Sequence, residues 1–187
     1  MPGPIYPENT KYQALTSAVG NVGRVASAAR KSSPSPKSFD TQKYNSGLSK
    51  NYTIPTDISS LGTVTTPYQG STNYESVHPG IDVANKIGTQ IPSFSGGTVI
   101  ESKSGYKQGD KGFGNTVVVQ DAKGNKWRYS HLNQGYVKVG QQVQPGTVIG
   151  GMGNTGSTYS LHGGTGSHLD LRIKDAYGKY LNPYSLL

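Results

Sequence analysis

Short β-rich runs separated by glycine turns fill the sequence from about residue 61 to its last residue, 187, and constrain what it can fold into. The runs combine β-branched and aromatic residues, and a turn signal at Asp121–Asn125 joins two of them. They are Thr63–Thr65, Thr98–Glu101, Thr116–Gln120, Lys126–Tyr129, Tyr136–Val139, Thr147–Gly150 and Leu169–Ile173. We therefore predict an all-β domain over residues 61–187, an antiparallel sandwich or half-open barrel.

Residues 1–60 have a different composition, which predicts a largely disordered basic arm. Small apolar residues from Leu15 to Ala29 recur at spacings of three and four, but Gly20 and Gly23 interrupt the pattern. A weak helix within residues 13–30 is predicted, and a transient helix is favoured over one that folds on a partner. A Ser/Pro/Lys linker follows at Lys31–Ser38 and is too polar to pack.

The net charge and the residue composition restrict which kinds of partner the chain can bind. The net charge is +8, which favours anionic partners such as acidic wall polymers, nucleic acid or a membrane surface. The cations are spread along the chain, and Arg128 and Arg172 are the only arginines after residue 60, so no nucleic-acid partner is predicted. No stretch predicts a membrane span or a signal peptide. The chain has no cysteine, so any metal must be held by histidine and carboxylate.

The first pattern that carries chemistry runs from His78 to Val83. Pro79-Gly80 predicts a turn into a strand, with Ile81 and Val83 facing the core. Asp82 then points to the opposite side, where it can meet His78. The pair suits two metal ligands or, equally well on this spacing alone, a plain hydrogen bond.

The second pattern is the alternation from His168 to Arg172. In a strand His168, Asp170 and Arg172 share one face, and the two leucines between them enter the core. A third pattern, Tyr129-Ser130-His131-Leu132, places His131 at the predicted end of a strand.

These patterns occur in the order found in the lysostaphin-type zinc peptidases, which the chain resembles from about Gly62 to Leu187. The likeness extends to four further segments, which are Thr65–Tyr68, Gly114–Val119, Val139–Gly150 and Gly178–Tyr184. The resemblance implies zinc on His78 and Asp82, with His131 and His168 acting on the attacking water and the transition state. The family's third ligand is the second histidine of a His-x-His strand, and this chain has Asp170 there.

Two interpretations of Asp170 compete. In the favoured one Asp170 replaces the histidine as a ligand, which makes the metal a weaker Lewis acid and shifts its preference toward harder ions such as Mn²⁺. In the other the metal site is broken and the domain only binds the wall or activates another hydrolase. Four residues are further candidates for a substrate or oxyanion contact, namely Tyr74, Asn115, Tyr129 and His162.

The resemblance implies a metal-dependent endopeptidase that cuts the peptide cross-links of bacterial peptidoglycan. The basic arm and the lack of a predicted signal peptide favour a phage particle component, either a tail or an internal protein. Its arm would contact other virion proteins. A bacterial wall-remodelling protein exported by another route is the alternative.

Overall fold

The computed structural model describes residues 57–160 and 163–187, which form ten strands and two short 3₁₀ helices. The 3₁₀ helices are Ile58–Leu61 and Pro183–Ser185. The strands are β1 (Thr63–Thr66), β2 (Gly80–Ala84), β3 (Gln90–Pro92), β4 (Gly97–Lys103), β5 (Asn115–Gln120), β6 (Lys126–Gly135), β7 (Gln142–Val143), β8 (Val148–Met152), β9 (His168–Lys174) and β10 (Tyr180–Leu181). The predicted arm and its helix at 13–30 lie outside the described residues.

All ten strands belong to one unclosed sheet whose strand pairs are antiparallel. Its main order is β1-β2-β9-β6-β5-β4-β7, with β10 beside β9 and the pair β3–β8 joined to β6. The long strand β6 pairs with β9 up to Ser130 and with β8 from Leu132 onward. The predicted all-β antiparallel fold is confirmed.

Alternation along the strands builds the core, as the sequence predicts. Ile81 and Val83 of β2 and Leu169 and Leu171 of β9 are fully buried. The residues between them in each strand turn to the other face, which carries the candidate site. The core also takes in Ile58, three residues before the predicted boundary at 61.

One predicted strand is wrong, and another is confirmed but is longer than predicted. Tyr136–Val139 is not a strand, because β6 has just ended at Gly135 and the chain turns at Val139 and Gly140. The strand predicted at Lys126–Tyr129 continues through His131 to Gly135. The pairing of β6 is irregular in the middle of the strand, so the simple alternation of core-facing and outward-facing residues does not predict that the strand continues.

In the part of the chain that the structure describes, no helix has the length and apolar character needed to cross a membrane.

Candidate metal centre and active site

Two neighbouring strands bring the three predicted metal ligands together. Asp82 on β2 lies directly opposite Asp170 on β9, and His78 precedes β2 at the turn. One ligand atom from each of the three residues lies within 4.8 Å of the other two. His78 Nε2 is 3.1 Å from Asp82 Oδ1 and 3.8 Å from Asp170 Oδ1. All three side chains are buried.

Gly80 permits the close approach of these two strands at the site. It lies opposite Arg172 in the β2–β9 register. A Cβ atom at Gly80 would come within 2.6 Å of the Leu171 carbonyl oxygen and 3.0 Å of Asp170 Oδ1. Only glycine therefore fits between His78 and the strand that carries Asp170 without displacing it.

The donor atoms of this triad fit a metal ion. His78 Nε2 and Asp82 Oδ1 face each other, yet neither makes a hydrogen bond of acceptable geometry, although both are buried. Buried polar atoms without a partner are uncommon in folded proteins. One imidazole nitrogen and two carboxylate oxygens form a ligand set that suits Zn²⁺, and the high carboxylate content also suits Mn²⁺.

Glu75 and Arg172 support the triad from outside. His78 Nδ1 lies 3.1 Å from Glu75 Oε2, so an Nδ1–H that donates to Glu75 leaves Nε2 free to bind metal. Arg172 donates through Nε to both oxygens of Asp170, at 2.9 and 2.8 Å. Its other nitrogens donate to both oxygens of Glu75, each at 2.8 Å. One guanidinium thus holds a candidate ligand and the partner of another.

Sequence reasoning placed Arg172 on the face of Asp170 but gave it no role, and it missed Glu75. The available signal was weak. An acidic residue three positions before a candidate ligand in a loop is common, and only the packing of that loop against β9 brings Glu75 to Arg172.

The charges of the cluster favour a positive charge at its centre. Burial raises the pKa of Asp170, which Arg172 opposes and the charge of Asp82 reinforces. Burial also opposes ionisation of Asp82, but contact with His78 and the charge of His168 lower its pKa. Burial disfavours the charged form of His78, but Asp82, Asp170 and Glu75 outweigh burial and raise its pKa. Three carboxylates lie around His78 and a single arginine pairs with two of them, so a proton or a metal cation at His78 Nε2 is stabilised.

His131 and His168 form a second pair beside the triad. Their ring centroids are 4.6 Å apart. His131 Nδ1 lies 2.7 Å from the Thr155 carbonyl oxygen, and His168 Nδ1 lies 2.8 Å from that of Gly166. Because a carbonyl oxygen can only accept, each Nδ1 carries the proton and each Nε2 is left for other partners. Burial, followed by the charge of His168, lowers the pKa of His131 to about 4, so this imidazole is neutral at neutral pH.

The backbone at His131 is strained in a way that aims its side chain. His131 has φ of 60°, in the left-handed region that non-glycine residues seldom adopt. The β5–β6 register shifts between Asn115↔Leu132 and Val117↔Tyr129, so β6 bulges here. His131 is therefore not at a strand end, as predicted, but at the bulge where β6 changes partner from β9 to β8.

A groove with a volume of about 910 Å³ runs past both groups of residues. Its lining includes His78, His131, His168, Arg172, Phe113 and Tyr74. Many of its other walls are small residues, such as Ser71, Gly164 and Gly166. This shape suits an extended chain with small side chains.

The other predicted contact residues have different outcomes. Tyr74 lines the groove and is 62% exposed, so its role stays a prediction. His162 lies outside the described residues. Tyr129 and Asn115 do not line the groove, and we correct both predictions.

Tyr129 is buried in the core because it alternates with the site-facing residues of β6. Its hydroxyl accepts a hydrogen bond of 2.8 Å from the Phe94 N–H, and burial raises the pKa of Tyr129 to about 12. The Asn115 side chain makes hydrogen bonds to the backbone of neighbouring segments. Its side chain accepts from the Tyr106 N–H and donates to the Asn133 carbonyl.

Comparison with known proteins agrees with this geometry. The profile of peptidase family M23 matches residues 76–183, which contain the three candidate ligands and the histidine pair but not Tyr74 or Glu75. The endolysin of Staphylococcus phage 2638A is 38% identical over 105 residues, 53% of this chain and 20% of the endolysin. Lysostaphin of Staphylococcus simulans is 33% identical over 86 residues, 46% of this chain and 17% of lysostaphin. The chain thus spans only about a fifth of these relatives.

Two solved structures share the fold. The catalytic domain of a point mutant of the prophage-encoded M23 protein EnpA from Enterococcus faecalis has a TM-score of 0.53 and 27% identity, covering 65% of this chain and 88% of that one. A zinc-containing peptidase from Vibrio cholerae has a TM-score of 0.52 and 26% identity, covering 66% of this chain and 36% of that one. The resemblance to lysostaphin-type peptidases is confirmed.

Proposed function

Because this chain belongs to peptidase family M23, we propose that its β domain is a metal-dependent endopeptidase that hydrolyses peptide cross-links of bacterial peptidoglycan. The observation that carries the proposal is the convergence of His78 Nε2, Asp82 Oδ1 and Asp170 Oδ1 at a buried point beside the groove. The names of the relatives support the substrate, since they include a phage endolysin, lysostaphin and a DD-carboxypeptidase/endopeptidase of Neisseria meningitidis.

His78, Asp82 and Asp170 would hold one metal ion, Zn²⁺ or, given two carboxylates, Mn²⁺. When bound, such an ion acidifies a water molecule and polarises the scissile carbonyl. Glu75 fixes the ring of His78, and Arg172 fixes the carboxylate of Asp170. These contacts reduce the freedom that the ligands would otherwise lose on metal binding.

His131 and His168 would carry the proton chemistry. Each has its Nδ1–H tied to a backbone carbonyl, so each presents Nε2 at the groove side of the site. We propose that one imidazole takes a proton from the attacking water and passes it to the leaving amine. The other would donate a hydrogen bond to the oxyanion from Nε2, which requires that imidazole to carry a second proton beside the one on Nδ1. A buried imidazole that is neutral at neutral pH, as His131 is, suits the acceptor role.

The groove would hold a short, extended peptide bridge. Its small lining residues leave room for a backbone with small side chains, and Tyr74 at its exposed margin is the proposed substrate contact. Catalysis requires such a strand to lie with its carbonyl between the metal ligands and the histidine pair.

The direct test incubates purified full-length protein with cell-wall sacculi under three conditions. The first has no additions, the second contains chelator, and the third follows removal of the chelator and addition of Zn²⁺ or Mn²⁺. We expect muropeptides to be released only in the presence of metal, and the muropeptide masses to identify the bond that is cut. His131→Ala is the control that should abolish release while retaining the metal. Release that persists in chelator, or in His131→Ala, would contradict the proposal.

One observation favours a second candidate, a non-catalytic module that binds the wall or activates another hydrolase. Both oxygens of Asp170 already accept hydrogen bonds from Arg172, so Asp170 has a satisfied structural role without metal. Metal content separates the two candidates. A purified protein that binds neither Zn²⁺ nor Mn²⁺ near one ion per chain supports the non-catalytic module.

We also propose that the protein acts from a phage particle, with residues 1–60 contacting other virion or tail proteins. The support is the similarity to a phage endolysin and to a prophage-encoded protein. Mass spectrometry of purified particles tests the idea. Detection at a fixed copy number per particle would support it, and absence would favour an extracytoplasmic bacterial protein.

A further inference from the structure

The β6–β9 pairing gathers cations that are far apart in the sequence. Lys126 lies directly opposite Lys174, and two residues further along Arg128 lies directly opposite Arg172. Directly opposed residues in an antiparallel pair point to the same face, which here also carries Asp170 and His168. Like charges in such positions destabilise a sheet. The fold therefore holds two successive repulsive pairs beside the candidate active site.

Among the residues that the structure describes, one of these four cations forms an ion pair. Arg172 is paired with Asp170 and Glu75. Among residues 57–160 and 163–187, no carboxylate lies within ion-pair distance of Lys126, Arg128 or Lys174. The nearby Glu101 is paired with Lys103 at 3.1 Å and attracts Arg128 only from beyond ion-pair distance.

Two aromatic rings hold two of the three unpaired cations in place. The Arg128 guanidinium lies 4.7 Å from the centroid of the Phe113 ring, and Lys174 Nζ lies 4.4 Å from that of Tyr180. Cation–π contacts of this kind orient a cation but do not cancel its charge. The charges therefore remain available to a ligand.

These side chains surround a recess with a volume of about 210 Å³, which we call the basic recess. Its lining comprises Lys126, Arg128, Arg172, Lys174, Tyr180, Glu101, Ile100 and Val118. Arg172 lines both the basic recess and the groove, so the two are adjacent. A ligand long enough to pass Arg172 would reach from the groove into the recess.

We propose that the basic recess binds an oxyanion, a carboxylate or a phosphate, carried by the same wall polymer whose peptide lies in the groove. The inference rests on the proposed function and adds a second contact to it. Arg128 offers a planar fork that matches either oxyanion, and the two lysines add point charges at the rim. A confined recess beside a peptide groove fits one anionic group better than the long stripe of cations that a nucleic-acid backbone requires.

The test measures binding without hydrolysis. Full-length protein carrying His131→Ala is cosedimented with sacculi in chelator, alone and with the added pair Lys126→Gln and Lys174→Gln. The matched control pair is Lys123→Gln and Lys138→Gln, which removes the same charge from two exposed turns. We call Lys126→Gln with Lys174→Gln the recess pair. We expect it to weaken binding to sacculi roughly tenfold, and the control pair to weaken binding less than about twofold. The recess pair should also reduce the sensitivity of binding to salt.

Two treatments of the sacculi identify the anion. One strips phosphate polymers from the sacculi, and the other converts their carboxylates to amides. Whichever treatment removes the difference between the parent and the recess pair identifies the group that is bound. Equal binding by the recess and control pairs overturns the inference, as does insensitivity to both treatments or tighter binding to duplex DNA than to sacculi.

The two proposals fail separately in these assays. Protein that binds through the basic recess but releases no muropeptides contradicts the endopeptidase and leaves the recess standing. Protein that releases muropeptides but binds sacculi independently of the recess cations contradicts the role of the basic recess and supports the endopeptidase.

Discussion

The buried carboxylate of Asp170 has two candidate roles. It lies opposite Asp82 as a candidate metal ligand, and it is the hydrogen-bond partner of Arg172. Two carboxylates this close repel each other, and Arg172 supplies part of the compensating charge. A bound metal ion would supply the rest, so an aspartate could serve as a ligand where the family pattern leads us to expect a histidine.

Substitution of Asp170 separates these roles. We expect Asp170→Ala to lower metal affinity by more than about 100-fold, because a ligand and its negative charge are both lost. Asp170→His should retain bound metal and the release of muropeptides. Equilibrium dialysis with metal analysis measures the first effect, and circular dichroism checks that each variant is folded. An Asp170→Ala protein that is folded and binds metal like the parent would show that Asp170 is not a ligand.

Glu75 is expected to act on metal through His78. Glu75→Gln removes the charge that holds both the His78 ring and Arg172, so metal affinity should fall about 10- to 100-fold. Glu75 is only partly buried, so the loss of stability should be small. Glu101→Gln is the matched control, since Glu101 is also half-buried and paired with a cation but lies on β4. Similar metal affinities in the two variants would contradict a role for Glu75 at the site.

Tyr129 should matter for stability and not for substrate. Tyr129→Phe leaves the Phe94 N–H without its acceptor, at a cost of about 1 to 3 kcal/mol in the free energy of unfolding. Denaturant unfolding measures this cost. Muropeptide release by the folded variant should match that of the parent, and a specific loss of release would restore Tyr129 to the site.

At the scale of elements, β6 decides where the histidines meet. Up to Ser130 it runs between β5 and β9, and from Leu132 it pairs with β8. The change of partner takes place at the bulge around His131, where the backbone is left-handed. This irregularity turns the His131 ring toward His168 on the neighbouring strand. Regular pairing would keep the alternation of β6 and send His131 to the core face.

The strain at His131 can be measured with a pair of substitutions. His131→Gly and His131→Ala both remove the imidazole and its bond to Thr155, so they differ mainly in the backbone. Because glycine adopts positive φ without penalty, we expect His131→Gly to be more stable than His131→Ala by about 1 kcal/mol. Thermal or denaturant unfolding provides the comparison. Greater stability of the alanine variant would mean that the left-handed conformation is not held in solution.

At the scale of the whole molecule, one sheet folded around one core positions both the groove and the basic recess. The core extends from Ile58 to the end of β9 and includes both Ile58 and Leu61 of the first 3₁₀ helix. These two residues close the apolar side beneath β2, where Asp82 is attached. The N-terminal limit of the domain therefore affects the rigidity of the site.

A truncation series tests this limit. We expect residues 57–187 to fold alone and residues 62–187 to be less stable by about 3 to 5 kcal/mol, because two buried apolar side chains are lost. Within 57–187, Ile58→Ala with Leu61→Ala should reproduce most of the loss. Ser59→Ala with Ser60→Ala, two exposed positions of the same helix, is the control. Equal stability of the two truncated proteins would show that the domain needs no residues before about residue 61.

The sequence alone was enough for the fold class and for the three candidate metal ligands that the structure brings together, because both depend on local patterns. Alternation fixes which residues of β2 and β9 face the core, and the remaining residues of those strands include Asp82 and Asp170. The glycine turns and β-rich runs predicted β4, β5, β6 and β8, but they missed the short β3 and β7 and wrongly added Tyr136–Val139. The order of the histidine patterns indicated the family, which the comparisons confirm.

The tertiary structure decided what depends on register and on contacts between distant segments. No local pattern predicts that β6 bulges at His131, that Tyr129 points away from the groove, or that Glu75 reaches Arg172 across 97 residues. The same holds for the basic recess. The cations of β6 and β9 look dispersed in the sequence, and only the antiparallel register sets Lys126 against Lys174 and Arg128 against Arg172. A shift of one residue would send one strand's cations to the other face, so packing of the whole sheet, and not composition, creates the recess.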